Sequence, residues 1–119
     1  MKTTITLQLK RKWYEMIDSG QKKEEYRRIS PYWLSRILVC GKACSARILS
    51  GEVFCPVCLR MNWKKFDKVI FTLGYPRKDE AGKKMVFEID NLLMRSGNPE
   101  WGAEEGRTYF VFKLGKRIS

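Results

Sequence analysis

The sequence predicts an α+β domain: a small, mixed but mainly antiparallel β-barrel, partly open, with two helices near its N-terminus. Three observations predict it. The chain has 119 residues, of which 44% are hydrophobic and 13% aromatic, enough for one packed core in a single domain. Period-two alternation appears near both ends of the chain. The element order reads strand, helix, short strand, helix, then mostly strands.

Residues 3–10 alternate Ile5, Leu7 and Leu9 against Thr4, Thr6 and Gln8, the pattern of a half-buried strand. Residues 11–19 change to helical spacing, with Trp13, Met16 and Ile17 on one face. Gly20 stands where a helix C-cap needs positive φ. Residues 24–29 read as a short strand. Ser30-Pro31 reads as N-cap and first turn of a second helix carrying Tyr32, Trp33, Leu34, Ile37 and Leu38. Residues 68–73 form the next strand, ended by Gly74-Tyr75-Pro76, and 79–82 a turn. A long strand over 84–93 precedes the Gly97-Asn98-Pro99 break, and 108–114 alternate as the last strand. The whole is one domain over 1–119, with an irregular insert at about 38–66.

Twenty-four Lys and Arg stand against 13 Asp and Glu, a net charge of +11. Such a surplus destabilises the compact state by self-repulsion and suits a polyanionic partner. It is uneven. Arg36, Lys42, Arg47, Arg60, Lys64, Lys65 and Lys68 outnumber Glu52 and Asp67 between 36 and 68, whereas 88–105 is acidic apart from Arg95. One face therefore attracts phosphate while another repels it. The N-terminus alternates like a strand and carries no long apolar run. The expected location is the cytoplasm, with no membrane partner.

The densest motif is Gly20-Gln21-Lys22-Lys23-Glu24-Glu25-Tyr26-Arg27. In an extended chain Glu25 and Arg27 share a face, Lys22 leans over it from the turn, and Tyr26 points the other way. A Lys–Glu–Arg group can hold a phosphate or a base edge: Arg as a rigid fork, Lys as a mobile charge, Glu as an acceptor that orients one of them. The same residues also fit a plain Glu25–Arg27 salt bridge on a strand edge, which contributes about 0–1 kcal/mol.

Gly20-x-Lys22-x-x-Glu25-x-Arg27 resembles the signature of the ASCH domains, a branch of the PUA-like barrels. Leu7-x-Leu9-x-x-x-Trp13-x-x-x-Ile17 looks like that family's first strand and helix, 69–74 like its central strand, and 110–115 like its closing strand. The resemblance lapses over about 38–66. It implies a PUA-like barrel with an RNA- or nucleotide-binding cleft at the signature. It also implies an alternative, a small hydrolase acting as ribonuclease or as amidohydrolase of modified nucleosides, with Lys22, Glu25 and Arg27 as catalytic candidates. The deacylating relatives carry a threonine where Glu25 stands. The chain has no histidine, which excludes a His-based ribonuclease mechanism. Lys10, Gly20, Lys22, Glu25, Arg27, Tyr75 and Trp101 are the expected ligand-binding residues. Tyr75 and Trp101 enter as turn aromatics able to stack on a base.

Cys40-x3-Cys44-x10-Cys55-Pro56-Val57-Cys58 has the spacing of a structural zinc knuckle. Four thiolates close a tetrahedral Zn2+ site with no open position. A Cys55/Cys58 redox pair and four free thiols are the other readings these residues allow.

Overall fold

The computed structural model describes residues 3–37, 66–80 and 82–119. The four cysteines, and the insert that holds them, lie outside the described residues. The chain divides into two compact units, Met1–Tyr26 with Phe66–Ser119, and Arg27–Lys65.

The architecture is mixed α+β. Strands β1 (Thr3–Leu9), β2 (Glu24–Arg28), β3 (Phe66–Leu73), β4 (Lys84–Ser96) and β5 (Thr108–Arg117) form one five-stranded sheet in the order β1-β3-β4-β5-β2. Helices α1 (Arg11–Asp18) and α2 (Pro31–Ile37) follow β1 and β2, and 3-10 turns cover Lys78–Glu80 and Pro99–Trp101. β1 runs parallel to β3, with Ile5 opposite Val69, Leu7 opposite Phe71 and Leu9 opposite Leu73. The β3–β4 and β4–β5 pairs are antiparallel. The register of β4 against β5 shifts between Phe87 and Ile89 and again before Asn91. Such bulges bend a strand, which lets this long one serve two partners.

The expected alternation of β1 holds: Ile5, Leu7 and Leu9 are buried, and Thr4, Thr6 and Gln8 exposed. β5 is buried on both faces over Tyr109–Phe112. Phe110 and Phe112 lie on one; Tyr109 and Val111, on the other, pack with Tyr26, Ala103, Leu93 and Trp101. The buried face of α1 is Tyr14 and Ile17, while Trp13 and Met16 are only half-buried. Ser19 caps α1, and Gly20 follows at φ 83°, the left-handed conformation its position predicts.

In the second unit, Ser30 Oγ accepts from the Trp33 N–H at the start of α2, at 3.4 Å. Leu34 and Ile37 are fully buried. The Trp33 ring has the Arg27 guanidinium at 5.5 Å and that of Arg36 at 6.0 Å.

Candidate functional site

The turn after α1 carries the signature residues into β2. The Lys22 N–H donates to Met16 O at 2.9 Å, and the Leu114 N–H to Lys23 O at 3.1 Å, which moors the turn to α1 and to β5. Lys22 Nζ donates to Glu25 Oε1 at 2.8 Å. Both side chains are buried, with 1% and 5% of their surface exposed. Glu25 Oε1 also accepts from the Tyr26 N–H at 3.0 Å. The ammonium lies 4.5 Å from the centre of the Trp13 ring and 5.9 Å from that of Tyr26. Two aromatic faces and a carboxylate thus replace the water that a lysine ordinarily keeps.

Trp13 is therefore a cover for Lys22 more than a core residue. Lys12 Nζ is also near its ring, at 4.7 Å. The turn after β4 closes on it as well: a Cβ on Gly102 would stand 2.9 Å from Trp13 Cζ2.

A second polar group lies beside the first. The Asn98 N–H donates to Tyr26 Oη at 2.9 Å, and Tyr26 Oη donates to Glu24 Oε1 at 2.8 Å. The Arg95 guanidinium pairs with Glu24 Oε2. Burial dominates the titration of Tyr26 and pushes its hydroxyl up to about 12; the Asn98 amide opposes the rise and Glu24 adds to it. A further bond, Glu104 N–H to Tyr109 Oη at 2.9 Å, pins the same 97–107 segment to β5.

A cavity of about 350 Å3 opens at the turn, lined by Gly20, Lys22, Lys23, Phe87, Leu114 and Arg117 among others. Its size lies within the range of small-ligand pockets. At its rim Arg117 Nη1 donates to Asp18 Oδ1 at 2.7 Å, and the guanidinium lies 5.7 Å from the Phe87 ring centre.

No family model, no curated protein and no solved structure matches the chain.

The structure brings Lys22 and Glu25 together and sets Gly20 at the cavity wall. Arg27 falls in the second unit, over Trp33. Lys10 is exposed at the start of α1, Tyr75 is 97% exposed, and Trp101 is half-buried against the Tyr26 cluster. Trp13, Glu24, Arg95 and Asn98 belong to the site and were not anticipated. Glu24 and Tyr26 are two residues apart on β2, but Arg95 and Asn98, which complete the group, come from a strand end and turn far along the chain. Among the described residues, no three His, Cys, Asp or Glu side chains are grouped to hold a metal. None of the described helices is long and apolar enough to cross a membrane.

Proposed function

We propose that this chain is an ASCH-like domain of PUA-like kind that binds RNA or a nucleotide-like ligand at the Gly20–Glu25 turn. The observation that carries the reading is the buried Lys22–Glu25 pair beside an open cavity, at the signature positions, in a chain of net charge +11. Burying an ion pair commonly costs more than its attraction returns. Here Lys22 lines the cavity, and its pairing with Glu25 holds the turn that forms the cavity wall in one geometry. Lys23 and Arg117 supply the cations at its rim, and Phe87 and Leu114 an apolar surface for a base. A hydrolytic role has less support: Glu25 Oε1 is already engaged by Lys22 and by the Tyr26 amide, and Lys22 Nζ is shielded from solvent.

Labelled single-stranded RNA titrated at two salt concentrations tests the reading. Binding that weakens with salt, and falls on Lys22→Ala, is expected; no binding at low salt ends it. We further propose that Cys40, Cys44, Cys55 and Cys58 hold one structural Zn2+ with all thiols deprotonated, leaving the chain strongly basic. Elemental analysis of protein purified without added zinc is expected to find about one equivalent, and less than about a tenth of that ends the proposal.

A further inference from the structure

The connection from β3 to β4 holds an aromatic side chain in water at a conformational cost. Tyr75 is 97% exposed. Its φ is 53°, and among the described residues it is the one non-glycine with positive φ. It also precedes Pro76, whose ring restricts the backbone of the residue before it. Bulky side chains avoid this region, and its occupation persists only where the surroundings enforce it.

The surroundings do enforce it. The Gly74 N–H donates to Leu9 O at 2.7 Å, fixing the loop to the end of β1. Arg11 grips Glu80 through two bonds of 2.7 and 2.6 Å. Glu80 Oε1 accepts from the Arg77 N–H at 2.9 Å, and Glu80 O from the Lys83 N–H at 2.9 Å. The Lys83 ammonium rests 5.6 Å from the Tyr14 ring centre. The loop is tied to β1 and α1 at both ends, while its largest apolar side chain is turned out from all of them.

An exposed aromatic on a rigid loop is a stacking platform, and the charges around it name what stacks. Arg77, Lys78 and Lys83 share the loop with Asp79 and Glu80, Lys84 begins β4 directly after it, and Glu80 is neutralised by Arg11. We infer that Tyr75 stacks on an unpaired base of single-stranded RNA, with Arg77 and Lys78 beside it to meet the flanking phosphates. This rests on the RNA reading of the Gly20–Glu25 turn and narrows it. A duplex keeps its bases inside the stack, so a ligand that offers a base face to Tyr75 is a single strand and not a duplex. Every base has a face to offer, so the contact is indifferent to sequence.

The test is a fluorescence-anisotropy titration of a labelled oligouridylate of roughly ten nucleotides, and of the same strand annealed to its complement. The proteins are wild type, Tyr75→Ala, Tyr75→Phe and Tyr75→Gly. Tyr75→Ala is expected to weaken single-strand binding between about fivefold and a hundredfold, and Tyr75→Phe to stay within about twofold of wild type. Duplex binding is expected to be the same for all four proteins. The side chain packs on nothing that its loss can loosen, so the melting temperature of Tyr75→Ala is expected to hold, and that of Tyr75→Gly to hold or rise. Wild-type affinity in Tyr75→Ala overturns the inference and leaves the RNA reading standing. An equal loss on the duplex, or a fall in melting temperature to match the loss of binding, also overturns it. No binding by the wild type at low salt overturns both.

Discussion

Glu25→Ala leaves the Lys22 ammonium in a nearly dry site without its carboxylate. The wild-type pair is 2.8 Å apart, with 1% of the lysine and 5% of the glutamate side chain exposed. Removing one partner from a buried pair costs about 3–5 kcal/mol, because the other charge stays desolvated. The Trp13 face, 4.5 Å away, remains and returns part of that, roughly 1–2 kcal/mol. The net expectation is a loss of about 1–4 kcal/mol. In a domain of this length that lowers the melting temperature by roughly 4–16 °C, read by circular dichroism and checked by urea titration. The double variant Lys22→Met with Glu25→Leu replaces both charges with apolar groups of similar length, and is expected to regain most of the loss. RNA binding is expected to remain weakened in the double variant, separating stability from function. A loss below about 1 kcal/mol in Glu25→Ala refutes the reasoning, since it is the behaviour of an exposed pair.

Three further outcomes follow from other contacts. Tyr26→Phe removes the hydroxyl that joins Asn98 to Glu24 and is expected to cost about 1–3 kcal/mol in urea denaturation. The Tyr26 hydroxyl titrates near 10 in an unfolded chain and at about 12 in the fold, so its contribution is complete below pH 10 and fades as pH rises toward 12. Tyr14 is raised in the same direction, so the difference between wild type and Tyr26→Phe is the measure of Tyr26; curves that stay parallel through that window refute the assignment. Glu80 has the opposite sign. Its bonds from Arg11, then from the Arg77 amide, lower it from 4.5 to about 2, so its support is complete above pH 4.5 and is lost as pH falls toward 2. Glu80→Gln is expected to flatten the acid limb of the stability curve there, and an unchanged limb contradicts the staple. Gly102→Ala strains a residue at φ 100° and drives a Cβ into the Trp13 ring; a melting point within about 1 °C of wild type, or an unshifted Trp13 indole resonance, is incompatible with the contact described.

Periodicity revealed the elements that carry it. Ile5, Leu7 and Leu9 against three polar residues gave β1 away, and Ser30-Pro31 and Gly20 marked helix ends because their backbone chemistry is local. β4 runs three residues past its expected end at Leu93, since Met94, Arg95 and Ser96 gain partners in Phe110, Tyr109 and Thr108. Those pairings depend on β5, which no window around Leu93 contains. The parallel match of β1 with β3 was equally invisible, because alternation does not say which neighbour a strand takes. The site divides in the same way. Lys22 and Glu25 meet within one turn and strand, so spacing was enough to bring them together. Trp13 looked like part of a helix face, because nothing near it announces an ammonium 4.5 Å from its ring or a glycine pressed against it from beyond β4.

The sheet order has a bearing on when this site comes into being. β2 leaves the ribosome well before β5, its neighbour in the sheet. Until then the backbone of Lys23 lacks the Leu114 amide that moors it, and Tyr26 lacks Tyr109. A nascent chain thus carries Lys22 and Glu25 as two ordinary hydrated charges, and they lose their water only when synthesis has passed Arg117. A chain stalled before Thr108 has Lys22 and Glu25 in its sequence and lacks the β5 contacts that close over them.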